Sequence, residues 1–505
     1  MESYFMEKTT LWITLGVYIA TMFIIGIVQG RKSKSIADLT VGGRNAGAWL
    51  SALSYGTAYF SAVMFVGYAG GTGLSYGFWG ILAGIGNCIF GSWLAWKVLA
   101  RRTRDVAARL KIKTLPDFLE KRYGSKKMKT FAAVVIFIFL VPYSASVYKG
   151  LASVAEVLLG VDVNICMIVI AAVALVLLLL GGYLVQARAD FVQGIVMMFG
   201  IALLIFFIIR SRQVGGISGI IEYAKSDWGF APMGKDKWIS LWATVLMTSF
   251  GTWGLPQMVQ KYFGIKDDAQ AKRGISISTF FALLVAGGGY FIGSLCHRFY
   301  TVGVDMPAQD YIVPNMLKAA DMPVILLGIV LVLLISASVS TLCSVSLTAC
   351  STVTIDLLRA NIKSMTDKKT AVLTKVFCAV FVVLSYVVAN TDTPILDMMS
   401  YSWGIISGSF LAPYVLALYY KKLTRSAAWK GIITGFCVAL VPAVAKALTM
   451  FGTANDTISG VAAKGPTFAC AAMIASILVC VIFSALDKKH SEDNSFFYTG
   501  TVEKE

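Results

Sequence analysis

Apolar stretches long enough to cross a lipid bilayer recur from one end of this 505-residue chain to the other. They fall at about 9–29, 46–70, 75–99, 128–158, 162–182, 189–210, 238–259, 274–297, 322–357, 370–389, 394–420, 427–449 and 465–486. An α-helix crosses ~30 Å of hydrocarbon in about 20 residues. Only helices and closed barrels satisfy their own backbone in lipid, and these runs are continuous rather than alternating. The expectation is an all-α integral membrane protein with about 13 transmembrane helices. Charged residues make up only 14% of the chain, against about 25% in soluble domains.

The formal net charge of +17 would suggest nucleic acid in a soluble protein. Here the basic residues mark topology instead. Arg31, Lys32, Lys34 and Arg44 follow the first segment, and ten Lys or Arg lie between residues 100 and 127. Lys261, Lys266, Lys272 and Arg273 follow the seventh segment, Arg359, Lys363, Lys368 and Lys369 the ninth, and Lys421, Lys422 and Arg425 the eleventh. The loops at 71–74, 159–161 and 390–393 carry none. Basic loops stay in the cytoplasm, so the N-terminus is expected outside and the C-terminus inside. The loop at 211–237 fits least well, with Arg212, Lys225, Lys235 and Lys237 on the outer side.

No loop is long enough for a soluble domain. The chain reads as one membrane domain over 1–486 with a polar tail, 487–505, expected to be disordered. No cleavable signal peptide is expected, because the first segment follows an acidic start without a small-residue cleavage site. The nine cysteines lie in or beside apolar segments without a CxxC pair, and there are two histidines. Neither a Cys- or His-based metal site nor a cluster of catalytic groups is expected, so the chain does not read as an enzyme. The bilayer is its expected surrounding, with no nucleic acid and no obligate protein partner evident.

Two segments carry helix breakers at membrane depth. The second reads Gly56-Thr57-Ala58-Tyr59-Phe60-Ser61 and then Gly67-Tyr68-Ala69-Gly70-Gly71. The seventh reads Ser249-Phe250-Gly251-Thr252-Trp253-Gly254-Leu255-Pro256-Gln257. Pro256 lacks a donor and clashes with the preceding turn, and glycine eases unwinding. Irregular backbone is tolerated at this depth only where it is buried or lines a cavity. The two breaks are five segments apart, the pattern of a transporter built from inverted repeats, about 46–210 and about 238–420. Glycine packing between helices is the plainer alternative.

The ninth segment is dense in hydroxyls: Ser336, Ser338, Ser340, Thr341, Ser344, Ser346 and Thr348. Ser336, Ser340 and Ser344 share a helix face. Hydroxyl and carbonyl oxygens suit a hard monovalent cation, though the same groups also bond between helices. Asp190, near the start of the sixth segment, reads equally as a functional acid or as a first-turn acid favouring the helix dipole. Asp397 reads as a helix-start acid, and Lys149 and Lys375 as snorkelling bases.

Several motifs occur together: Val41-Gly42-Gly43-Arg44, Thr114-Leu115-Pro116-Asp117-Phe118-Leu119-Glu120-Lys121-Arg122-Tyr123, Gly181-Gly182-Tyr183 followed by Asp190 and Gln193, Pro256-Gln257-Met258-Val259-Gln260-Lys261-Tyr262-Phe263, and Ser340-Thr341. In this order the chain resembles the sodium/solute symporter family, which includes bacterial sodium/proline, sodium/galactose and sodium/sialic acid transporters. The resemblance runs from about residue 10 to 485.

It implies a leucine-transporter-type 5+5 inverted repeat with one extra N-terminal and two extra C-terminal helices. It also implies Na⁺-coupled uptake of a small organic solute, such as proline or a monocarboxylate, across the plasma (inner) membrane by alternating access. Carried over residue by residue, the sodium ligands are the carbonyls of Thr57, Phe60 and Ala337 and the hydroxyls of Ser340 and Thr341. Some members hold a second sodium, here matched by Asp190, Ser340 and Ser344. Cys343 replaces another serine of that pattern, and sulfur is a poor sodium ligand. The solute is implied to lie among Tyr59, Ser61, Tyr143, Ser144, Thr252, Trp253, Gln257, Tyr401 and Trp403. Tyr59 stands where the sodium/proline branch has an aspartate. A proton-coupled symporter of the same fold and a transporter-like membrane sensor are the alternatives.

Overall fold

A computed structural model describes residues 2–30, 44–180, 183–301, 304–320, 322–362, 365–452, 455–487 and 497–498. Val41–Gly43, Gly181, Gly182 and most of the tail lie outside the described residues. All named elements are helical. The principal helices run α1 (Glu2–Gly30), α2 (Ala48–Tyr59), the helical run α3 (Val63–Arg109), the loop helix α4 (Leu115–Tyr123), α5 (Lys126–Leu159), α6 (Val163–Leu180) and α7 (Tyr183–Arg210). They continue with α8 (Lys235–Phe250), α9 (Pro256–Phe263), α10 (Asp268–Arg298), α11 (Val324–Arg359), α12 (Asp367–Ala389), α13 (Ile395–Tyr419), α14 (Arg425–Met450) and α15 (Gly465–Leu486).

Among the described residues, 11 helical runs are long and apolar enough to span a membrane. The second and seventh expected segments are discontinuous. α2 ends at Tyr59, where Phe60 turns extended at φ −104° and ψ 99°. Past this break the chain rewinds through wide π-type turns over Val63–Ala69, a geometry that often marks functional sites. α8 ends at Phe250, passes through a tight turn over Gly251–Gly254, and becomes extended at Leu255, φ −76° and ψ 124°. Pro256 causes this: its ring pushes the preceding residue out of the helical region, and it then opens α9, where no N–H is needed.

The helices sort by burial. The apolar windows of α11 and α13 are 78% and 89% buried, against 22% for α1 and α6 and 28% for α12. The outward stripe on α12, Val372, Val376, Val380, Val383 and Val387, repeats every three to four residues and is exposed along its length, as a lipid-facing helix requires. α11 and α13 form the centre: α11 packs on α2, α5 and α7, while α13 packs on α5, α14 and α15. At Gly73 of α3 a Cβ would fall on the carbonyl of Gly293 in α10, so glycine alone permits that close crossing.

The Thr114–Tyr123 motif is a capped helix. Thr114 accepts from the Asp117 N–H at 3.2 Å, Pro116 lies in the first turn, and Gly124 closes the helix in the left-handed region. Its Arg122 is buried, donates to the Leu423 carbonyl at 3.2 Å, and lies among the rings of Tyr123, Phe497 and Tyr498. Two residues of the tail expected to be disordered are therefore placed against the domain. Phe497 is 1% exposed and meets Phe118 edge-on, and the Tyr498 hydroxyl donates to the Ala417 carbonyl at 2.7 Å.

Lys149 differs from the snorkelling expectation. Its ammonium caps the carbonyls of Thr391 and Thr393, at 3.1 and 3.0 Å, in the turn before α13. Beside it Asp310 accepts from the Ile395 N–H at 3.3 Å. Burial raises the Asp310 carboxyl above the ordinary carboxylate range, against the opposing pull of that N–H and of Lys149.

Candidate functional site

The α2 break frees a carbonyl. In a continuous helix the Ser61 N–H would bond to Thr57 O; with Phe60 extended, Thr57 O meets the Thr341 hydroxyl of α11 at 3.1 Å. The same hydroxyl reaches Ala337 O at 2.9 Å. The Ser340 hydroxyl lies 3.0 Å from the Thr57 hydroxyl and 2.6 Å from one carboxylate oxygen of Asp190. The Ala62 N–H, just past the break, donates to the Ser338 hydroxyl at 3.4 Å. Thr57, Phe60, Ala337, Ser340 and Thr341 are all buried. Four of these five residues thus present oxygens to one another across the α2–α11 interface. Phe60 sits at the break itself.

Asp190 is 0% exposed and lies beyond the first turn of α7, which starts at Tyr183. The first-turn reading is corrected accordingly. Its carboxylate accepts from Ser340, from the Ser54 hydroxyl of α2, and from the Lys261 ammonium of α9 at 3.2 Å. Lys261 also donates to Ser54 at 2.8 Å. Lys261 is 2% exposed, so its assignment to a basic cytoplasmic loop is wrong. Ser344 is buried one turn from Ser340. A small cavity of about 30 Å³, enough for one water-sized particle, lies beside this group and is lined in part by Gln186, Asp190, Gln193, Ser340 and Cys343.

The residues expected around a solute divide into two sets. The Tyr59 ring stacks on Phe60 at 4.1 Å and lies 6.2 Å from Trp403. Trp403 in turn meets Tyr143 edge-on at 5.5 Å, and the Tyr143 hydroxyl faces Ser61. Ser407, one turn beyond Trp403, donates to Gly251 O, which holds the α8–α9 break against α13. The Tyr59 hydroxyl donates to Thr248 O at 2.5 Å, so the two broken helices touch near their breaks. Among these buried groups the indole N–H of Trp403, the hydroxyls of Tyr143 and Ser144 and both polar atoms of Gln257 have no protein hydrogen-bond partner. An unpaired buried polar atom costs about 1–3 kcal/mol, so an arrangement that keeps five of them is suited to a polar guest.

The second set is engaged elsewhere. The Trp253 indole donates to Phe90 O at 3.0 Å, the Tyr401 hydroxyl to Ala462 O at 2.9 Å, and the Thr252 hydroxyl to Ser249 O at 2.8 Å. Sequence reasoning missed Lys261 as the partner of Asp190, and Ser54 as the hydroxyl bonded to both. The available signal was the apolar company of Lys261, with Val259, Tyr262 and Phe263 within two residues of it.

Two discontinuous helices that meet at an oxygen-lined centre inside a polytopic helical membrane protein define the class of secondary transporters. The comparisons agree. The model of the "Sodium:solute symporter family" matches residues 40–435, and the chain belongs to that family.

Its relatives are transporters, not enzymes. The osmoregulated proline transporter OpuE of Bacillus subtilis (strain 168) is 28% identical over 442 residues, 85% of this chain and 88% of that protein. The high-affinity proline transporter PutP of the same organism is 26% identical over 431 residues, 83% and 89% of the two chains. The sodium/proline symporter of Escherichia coli (strain K12) is 26% identical over 448 residues, 86% and 88%. Among solved structures, a substrate-bound outward-open Na⁺-coupled sialic acid symporter shares the fold at a TM-score of 0.75 and 16% identity, covering 95% of this chain and 98% of that one. Mhp1, a nucleobase-cation-symport-1 family transporter in a closed conformation, matches at 0.50 and 14%.

Proposed function

We propose that the chain is a Na⁺-coupled symporter that takes up a small organic solute by alternating access, with proline the first candidate. The observation that carries this is the meeting of Thr57 O, Ala337 O and the Ser340 and Thr341 hydroxyls at the α2 break. Sodium is the coupling ion, bound by those groups together with the Phe60 carbonyl. Such an ion cross-links the broken helix to α11, so its binding biases how the two move relative to each other. The coupling is reciprocal: solute must tighten sodium by the factor by which sodium tightens solute.

In this reading α2 with the start of α3, and α8 with α9, are the two broken spans of thirteen. They occupy matching places in inverted repeats of five, with the basic loops and C-terminus inside the plasma membrane and the N-terminus outside. The solute sits between Tyr59, Ser61, Tyr143, Ser144, Gln257 and Trp403, with Thr252, Trp253 and Tyr401 forming its outer walls. Proline is favoured by what the relatives' names say they carry. Tyr59, whose hydroxyl is spent on Thr248 O, offers no anion to a solute amine, which leaves the carbonyls of the break for that task.

The test is uptake of radiolabelled proline and candidate monocarboxylates into proteoliposomes under an inward sodium gradient. Uptake that is unchanged when K⁺ or choline replaces Na⁺ refutes sodium coupling. Uptake that follows an imposed proton gradient instead selects the proton-coupled alternative.

A further inference from the structure

The Asp190 carboxylate accepts from Ser340, one of the proposed sodium ligands, yet it already has a cation. Lys261 Nζ is 3.2 Å from one of its oxygens and 2.8 Å from Ser54 Oγ, while Ser340 takes the other oxygen at 2.6 Å. Acid and base are 0% and 2% exposed. A buried charge is tolerated when paired and hydrogen-bonded, and an uncompensated one is strongly disfavoured. The pair is neutral as it stands. A sodium ion added at Asp190 would leave a net positive charge in a buried site, facing the Lys261 ammonium across one carboxylate. The remaining neighbours do not make up the difference, because they are neutral: Gln186 and Gln193 bring amides to the adjoining cavity and Cys343 a sulfur, and the unpartnered Gln193 oxygen carries no charge.

We infer that the Lys261 ammonium is a tethered cation that takes the place of a second sodium, so that this transporter binds one sodium ion per chain. The inference rests on the sodium coupling proposed above and sets its stoichiometry. Lys261 is a positioning residue. It belongs to α9, the second half of one broken span, while Ser54 belongs to α2, the first half of the other. The ammonium therefore ties both broken spans to α7 and, through Asp190 and Ser340, to α11. A mobile ion at the same place would bind and leave in each cycle; a side chain stays and fixes the Ser340 hydroxyl toward Asp190.

The experiment counts ²²Na⁺ ions bound at saturation to the purified full-length chain in detergent, and needs no knowledge of the solute. The wild type is expected to bind one. Lys261→Met keeps the length of the side chain without its charge. It should recruit a second ion to Asp190, in the cavity beside it, raising the count to two and the Hill coefficient above one. Lys261→Arg should stay at one, and the charge-free double variant Lys261→Met/Asp190→Asn should return the count to one. Two ions on the wild type would overturn the inference and leave sodium coupling standing. A folded Lys261→Met protein that still binds one would also overturn it. No saturable sodium on the wild type would sink the coupling itself. If Lys261→Met fails to give a monodisperse protein, the wild-type count and the Lys261→Arg count still decide.

Discussion

Removing the Thr341 hydroxyl is the sharpest test of the proposed sodium site. That oxygen stands within hydrogen-bond reach of two others assigned to the ion, 3.1 Å from Thr57 O and 2.9 Å from Ala337 O, and is fully buried. Thr341→Ala deletes it without moving the backbone of α11. An interaction with a charged partner is worth about 1.5–3 kcal/mol, and each 1.4 kcal/mol is tenfold in affinity. The sodium concentration for half-maximal uptake should therefore rise roughly 10- to 150-fold. Ser340→Ala should act in the same direction, with an added effect from the released Asp190 oxygen. The assay is uptake against sodium concentration at fixed solute, paired with a thermal melt. The melt is needed because Thr57 O loses its donor, which by itself costs about 1–3 kcal/mol. Sodium dependence unchanged within about twofold in both variants, with the proteins folded, would refute the site. So would an equal loss of affinity on mutating Ser351, which lies on the same helix and whose hydroxyl donates to Thr348 O.

Four further outcomes are expected. Trp403→Phe removes an indole N–H that has no protein partner and leaves a cavity in a fully buried site, so it should lower the melting temperature and weaken solute binding by roughly tenfold, the worth of one hydrogen bond; unchanged binding by isothermal calorimetry would remove Trp403 from the solute site. Phe497→Ala should lower the apparent melting temperature, because burying a phenylalanine side chain is worth about 1.5–3 kcal/mol, and the same loss on truncation after residue 495 would tie it to this contact. Lys149→Met should free the Thr391–Thr393 turn, read as faster maleimide labelling of an Asp392→Cys reporter than in the Lys149 background. The Asp310 carboxyl is raised by burial, so the folded state holds its proton more tightly than the unfolded chain, and this stabilising contribution is lost as pH rises from about 4 through the raised value. Asp310→Asn should flatten the melting temperature over that range, and an identical pH profile would show that another group governs it.

Much of this protein is written along the chain. The membrane segments are local statements, since each depends only on about 20 apolar residues in a row, and the helices that span are the ones the apolar runs mark. The breaks are nearly as local. Pro256 displaces Leu255 whatever surrounds it, and the Gly56–Ser61 run unwinds within a residue of where its composition suggests. Ser340 and Thr341 were conspicuous for the same reason, as hydroxyls too dense for a helix in lipid.

What the chain could not show is which side chain answers which. Lys261 looked like one more base in a row of loop bases, because its charge is plain in sequence while its burial depends on α2 and α7 closing over it. Asp190 read equally well as a helix-start acid until α7 proved to begin at Tyr183. Trp253 and Tyr401 carry the right chemistry for a solute wall but spend their polar atoms on Phe90 O and Ala462 O. Periodicity and breakers act over one turn of helix and are legible in sequence. Charge pairing and unpaired polar atoms act between residues such as Ser54 and Lys261 or Tyr143 and Trp403, hundreds of positions apart in places, and only the packing of the helices decides them.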